Sequence, residues 1–400
     1  MLARRLGDLE LAEDAVQDAF ARAVIAWPRD GVPDRPGAWL TTVAWRRALD
    51  LKRNDRRLVP CDQPLGEGWD EHERQDEHDW DDLQVDDDVL GLLLACCHPA
   101  LSLQMQVALT LRHVAGLTAA QIAAAFLVTE EAMAKRLVRA RARLRDSGSR
   151  FAVPAAQDLP GRLLAVRTVI LLVFTEGHSA SSSGAPVRME LCDEAVWLAE
   201  QLHALVPADP ETTGLLALLL LTDARSPARQ DAAGRLLTFA EQDRERWDET
   251  KIGRARILLG ATGLAPPGPL QVQAAIAALH VAAAPGQDPD WQQLAALHEV
   301  LARLEPSAVT EVNRAMVVGR ARGSAAGLAV LAPVLAGSRL ERYAPLHAVH
   351  ADLLDRAGRK GEAAIAWARA LACASNDGQR AEIERRLGLA VSSTTDAGSR

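Results

Sequence analysis

An all-helical chain is the fold class this sequence predicts, and three observations support it. Ala and Leu dominate a composition in which aromatic residues amount to 4%, and β-branched residues are sparse. Residues 117–145 read as two short helices joined by a tight turn. After about residue 161 the chain becomes Ala/Leu-rich segments of helical length, separated by turns at 179–184, 207–210, 260–269 and 285–289. The 400 residues suggest two or three domains: two small helical ones, the second with a helix-turn-helix, and a larger helical one.

The first domain is expected over residues 1–57. Leu9, Val16, Phe20, Ala23 and Trp27 define one apolar helical face, with Asp14, Gln17 and Asp18 opposite. Residues 28–37, PRDGVPDRPG, are a loop by composition. A second helix over 39–57 is apolar through Trp39, Leu40, Val43, Ala44 and Leu51 and basic towards its end. Residues 58–88 are poor in apolar groups and rich in Asp and Glu, which predicts a flexible acidic linker.

Residues 89–148 form the second unit, and its end is the most telling stretch. Thr118 caps a helix running to Phe126, Leu127-Val128 is the turn, and Thr129 with Glu130 and Glu131 opens the next helix, where carboxylates suit the dipole. Met133, Leu137, Ala140 and Leu144 share one side, while Lys135, Arg136, Arg139, Arg141, Arg143 and Arg145 cover the rest. An apolar seam and a cationic surface are what a major-groove reader requires. A solvated amphipathic helix explains the charges but not the cap, turn and seam falling together.

Residues 161–390 make the third unit. Around Gly358 as turn glycine, Ala351, Ala363, Trp367 and Ala370 give the small–small–aromatic–small spacing of a tetratricopeptide-like hairpin. The period does not trace cleanly backwards, so the remainder is expected to be solenoid-like.

A net charge of −8 argues against a nucleic-acid binder only if charge is evenly spread. It is not: one basic block spans Arg46 to Arg57, another Lys135 to Arg150, and Asp62 to Asp88 between them is acidic with Arg74 as its only cation. Five cysteines without a C-x-x-C pair fit a reducing cytoplasm. The charged N-terminus lacks the apolar core of a signal peptide, and the runs 169–174 and 215–221 are too short to span a bilayer, so no membrane role is expected. Cys96, Cys97 and His98 have no second ligand pair to close a tetrahedral site, so helix packing is expected, with no metal and no cofactor. The segment Glu176-Gly-His-Ser179 lacks a nucleophile elbow and suggests a turn or small-ligand pocket. No catalytic motif is found, and the chain is not expected to be an enzyme.

The first 150 residues resemble the extracytoplasmic-function (ECF) sigma factors of bacterial RNA polymerase. Residues 11–20, LAEDAVQDAF, look like the acidic helix of region 2 that grips the polymerase clamp. Residues 36–40, PGAWL, followed by 44–50, AWRRALD, look like the helix that melts and reads the −10 element. The helix-turn-helix then corresponds to region 4, which reads the −35 element. One ECF subgroup has a long tetratricopeptide-like C-terminal extension, and 96–100, 174–180, 243–248 and 311–315 look like parts of it. There the resemblance implies regulation in place of a separate anti-sigma protein. It also implies a helix ahead of the clamp-binding one, expected to lie upstream or to be missing. Arg46 stands where many relatives have Asn, and since it accepts no hydrogen bond, base preference at −10 is expected to differ.

The resulting site has two parts. Trp45, Arg46, Arg47, Lys52 and Arg53 offer stacking and backbone charge to single-stranded DNA. In region 4, Glu131, Lys135, Arg136 and Arg139 are placed for bases and adjacent phosphates, with Arg143 electrostatic. Asp14, Gln17 and Asp18 are the expected polymerase contacts. Partners are therefore core polymerase, promoter DNA and an unidentified ligand or protein for the C-terminal domain. Two other readings compete: a tetratricopeptide-type regulator that never touches polymerase, and an enzyme fused to a DNA reader. The latter would need a buried ionisable cluster in the C-terminal half, which the sequence does not assemble.

Overall fold

The computed structural model describes residues 2–57, 85–126, 128–148, 159–178, 189–231, 237, 239–261, 266–284, 287–337, 340–374 and 377–397; within its helices the side chains of 53–57, 85–88, 124–125, 240, 377 and 389–397 fall outside that description. The chain divides into two compact units, Met1–Val169 and Ile170–Arg400. All their regular elements are helical, without a strand among the described residues.

The first unit opens with α1 (Leu2–Leu6), α2 (Leu9–Asp30) and α3 (Pro36–Arg57). Asp8 caps α2 by accepting from the Glu10 and Leu11 amides, and Gly31, at φ +87°, ends it. The helix therefore runs through Pro28, three residues beyond the point where the sequence predicts a loop to begin. Pro28 withdraws only one hydrogen bond, from the carbonyl of the solvent-facing Val24, and the Gly31 amide still closes on Trp27. The buried stripe is Ala12, Ala15, Ala19 and Ala23 against Ala44 and Ala48 of α3. Alanines at this spacing let two helices approach closely. They also rotate the expected face: Phe20 is 50% exposed rather than core, alongside Val24 and Ile25, each 74% exposed.

The acidic linker, 58–88, lies outside the described residues except for 85–88, which are helical. There α4 (Val85–Cys96) begins, followed by α5 (Leu103–His113), α6 (Ala119–Ala125) and α7 (Glu130–Asp146). Cys96 and Cys97 are fully buried, as packing requires. Burial raises both thiols, that of Cys97 to about 12. The corner after them is fastened by buried Gln106, whose amide donates to the carbonyls of His98 at 2.8 Å and Leu101 at 3.2 Å.

Across the unit boundary runs α8 (Pro160–His178); α9 (Met189–Leu205), α10 (Pro210–Asp223), α11 (Glu249–Ala261), α12 (Pro269–Ala282) and α13 (Trp291–Leu304) follow. The chain continues as α14 (Ala308–Arg322), α15 (Ser324–Ala336), α16 (Ala344–Arg356), α17 (Lys360–Ala372) and α18 (Asp377–Ala397). The hairpin expected around Gly358 is α16–α17: that glycine has φ +77°, Ala351, Ala363 and Ala370 are fully buried, and Trp367 packs among them. A second hairpin, α14–α15, turns at Gly323 (φ +95°). Its helices touch at Gly319 and Gly327, where a Cβ on Gly327 would meet the Ala315 carbonyl oxygen at 2.7 Å. No helix of the described residues is long and apolar enough to cross a membrane.

Candidate nucleic-acid interface

The bihelical reader is built as its spacing requires. Thr118 and Gln121 form a reciprocal capping box, each side chain accepting the other's amide at 3.2 and 2.8 Å. Thr129 caps α7 by accepting from the Ala132 amide at 3.3 Å. Met133, Leu137, Ala140 and Leu144 are buried, which fixes the opposite face of α7 outward. Arg139 is exposed, its Nε donating to the Lys135 carbonyl at 3.3 Å. Half-buried Arg136 lies over the Phe126 ring at 5.5 Å, a stacking that orients the guanidinium without neutralising it. Glu131 is held by Lys135 at 2.6 Å; both are exposed, so DNA has only a weak ion pair to displace. Arg143 is exposed and reaches the Met105 sulfur at 3.8 Å.

On α3 the second cationic surface is partly engaged. Arg46 is exposed and Trp45 half-buried, with Arg5 over the indole at 5.7 Å. Arg47 pairs with Asp18 at 2.7 Å, which links an expected DNA contact directly to an expected polymerase contact. Lys52 donates to the Leu6 carbonyl at 3.1 Å and so satisfies the end of α1. The side chain of Arg53 lies outside the described residues. Trp39 packs against Trp27, ring centroids 5.6 Å apart. On α2, Asp14 and Gln17 are exposed, while half-buried Asp18 also meets Arg22 at 3.7 Å. Phe20, Val24 and Ile25 add exposed apolar surface to this helix, although apolar periodicity placed Phe20 on the core face.

Five contacts tie the start of α2 to α5 and α7. Arg112 pairs with Glu13 at 2.8 Å, Arg141 with Glu10 at 3.8 Å, and Arg145 with Asp8 and Glu10 at 3.6 and 3.7 Å. His113 Nδ1 lies 3.5 Å from Glu13, yet burial, with Arg141 and Arg112, outweighs that carboxylate and lowers its pKa to about 4. The imidazole is therefore neutral near pH 7, and Arg112 is the partner that matches the Glu13 charge.

Two family models cover these elements: Sigma-70 region 2 matches residues 1–58, and Sigma-70, region 4 matches residues 91–144. The chain belongs to the sigma-70 family. It is an ECF-like sigma factor with an extension, of which residues 162–262 match a family of unknown function (DUF6596). An uncharacterized protein of Rhizobium meliloti (strain 1021) is 42% identical over 388 residues, covering 96% of this chain and 91% of its own. No solved structure matches. Core RNA polymerase and promoter DNA follow as the partners of these regions, and a regulator without polymerase contact has no use for region 2.

The extension of this sigma factor also contains a cluster that sequence reasoning did not assemble. Asp223, 1% exposed, pairs with Lys251 at 2.5 Å and accepts from Ser226 at 2.9 Å. Arg229 donates to the His178 carbonyl at 2.5 Å, and burial lowers the His178 pKa to about 3. These charges are satisfied locally and pin the end of α10 to α8 and α11, an arrangement that needs no chemistry of its own. The Asp223–Lys251 and His178–Arg229 contacts join residues 28 and 51 positions apart, so no local motif announces them.

Proposed function

We propose that this chain is an ECF-type factor that brings core polymerase to promoters, reading the −35 element with α7 and opening the −10 element with α3, while the extension regulates it in the cytoplasm. The observation that supports the reading most directly is the arrangement of α7: a buried seam with Lys135, Arg136 and Arg139 around an outward N-terminal half. Glu131, Lys135, Arg136 and Arg139 are the proposed base and adjacent-phosphate contacts, and Arg143 an electrostatic one. Trp45, Arg46, Arg47, Lys52 and Arg53 are the proposed −10 contacts. Asp14, Gln17 and Asp18, beside the apolar Phe20, Val24 and Ile25, are the proposed polymerase contacts. Exposed apolar groups flanked by carboxylates form the kind of mixed surface that a protein partner covers. Reconstitution of the full chain with core polymerase tests this: specific transcripts from promoters of its own operon are expected. Their absence at every such promoter would overturn the reading.

A further inference from the structure

The C-terminal unit contains a cavity of about 750 Å³, inside the range of roughly 300–1,000 Å³ that small-molecule sites occupy. One wall is a run of rings. Phe239 lies 5.5 Å from His280, and His280 lies 6.3 Å from Trp291, edge-on at 75°, while buried Trp247, 5.6 Å from Phe239, supports that ring from outside the lining. Burial, then Arg225 and His298, lower the His280 pKa to about 4, so this ring is neutral near pH 7 and offers aromatic surface.

Guanidinium groups are laid on the same wall. Arg244 sits 5.2 Å from the Phe239 centroid and 5.0 Å from that of Trp247, and Arg320 4.8 Å from Trp291. Their charges are compensated unequally. Arg320 reaches Asp288 only at 3.5 Å, and Arg356 is taken by Asp352 at 2.7 Å. Arg244 donates to the Ala283 carbonyl and has no carboxylate partner among the described residues. One cation thus faces the cavity held by rings and a neutral acceptor. Asp243, Glu245, Asp288 and Asp352 line the space beside Arg244, Arg320, Arg356 and Arg386, with Arg386 taken by Glu382 at 3.0 Å, so this near-balanced lining suits a single negative charge better than a polyanion.

We propose that this cavity binds a small aromatic or heteroaromatic monocarboxylate, its ring packed against the Phe239–His280–Trp291 wall and its carboxylate on Arg244. Flat rings stack on aromatic faces and planar guanidinium groups, and the fork of arginine matches a carboxylate's two oxygens. The site depends on the proposed transcriptional role only for its regulatory meaning. Binding is therefore measured on the full chain without polymerase, and loss of the transcriptional reading would leave the site intact.

Calorimetric titration with benzoate, phenylacetate and indole-3-acetate tests the proposal, against indole, acetate and adenosine monophosphate as probes lacking the charge, lacking the ring, or bearing a doubly charged anion. At least one aromatic acid is expected to bind one-to-one, at least tenfold tighter than all three controls. Arg244→Gln should weaken it tenfold or more, and Met316→Phe, which narrows the cavity without touching charge, should do likewise. Should Arg244→Gln fail to fold, Met316→Phe decides alone. Absence of binding by all three acids would overturn the proposal, as would equal binding of indole, tighter binding of the nucleotide, or full affinity in a folded variant.

Discussion

Arg139 stands exposed on the outer face of α7, and its Nε bonds only a backbone carbonyl of its own helix. Arg139→Ala is therefore expected to weaken binding to a −35 duplex by ~1–3 kcal/mol, roughly 5- to 150-fold, with a smaller effect on non-specific DNA. Fluorescence anisotropy with matched and scrambled duplexes reads both, and equal losses on the two would make it a phosphate contact. Arg46 has a different prediction because its chemistry is donor-only. Arg46→Asn restores an acceptor, so transcription from a library of −10 sequences should change its preferred base at one position while the −35 preference stays fixed. At this scale the sequence was readable wherever a residue's role depends on near neighbours. Cap, seam and cation of α7 lie within one helix, and all stand where the spacing put them. Lys52 remains a proposed DNA contact, but the bond of its ammonium to the Leu6 carbonyl, 46 residues away, is a pairing no local pattern contains.

At the scale of elements, close helix pairs depend on residues that have almost no side chain. Gly327 is the clearest case, with the Ala315 carbonyl oxygen, the Gly319 Cα and a Leu353 methyl all within 2.8 Å of where a Cβ would sit. The first two are backbone and cannot swing away. Gly327→Ala is expected to destabilise the C-terminal unit by roughly 1–3 kcal/mol, as overpacking does. Urea denaturation followed by circular dichroism measures it, and an unchanged midpoint would mean the helices part freely. Gly319, Gly323 and Gly327 recur every four residues, so this hairpin was legible in principle. Searching for a 34-residue period hid it, because the repeats here vary in length. The orientation of α2 was misread for the related reason that hydrophobicity ranks Phe20 above Ala19. Packing distance between α2 and α3 decides in favour of the smaller residue, and the phenyl ring is left outside.

For the molecule as a whole, buried histidines set the response to acid. Burial is the first cause lowering His113, His280 and His298 to about 4 and His178 to about 3, against an ordinary value of 6.5. A folded value below the unfolded one means the unfolded chain binds more protons in acid. Stability is then complete above about pH 6.5 and falls as pH descends towards about 4. The thermal midpoint should drop between pH 7 and pH 5, and replacing exposed rather than buried groups should not remove the drop. A midpoint flat over that interval would contradict neutral burial of these rings.

Ion pairs between the start of α2 and the reader respond to salt instead. Arg145→Glu, or ionic strength raised from ~0.05 to ~0.5 M, should increase the radius of gyration of free protein by small-angle scattering, since partly exposed pairs are readily screened. A radius unchanged by either would show that these contacts do not hold region 2 against region 4. The same arginines have two suitors: the carboxylates of Asp8 and Glu10 inside the chain, and the phosphates of a duplex outside it. Whichever anion wins, the loser is released, so engaging DNA at one end unmasks acidic groups at the other. By linkage, a duplex that takes Arg141 and Arg145 and any partner that takes the freed Asp8 and Glu10 raise each other's affinity by the same factor.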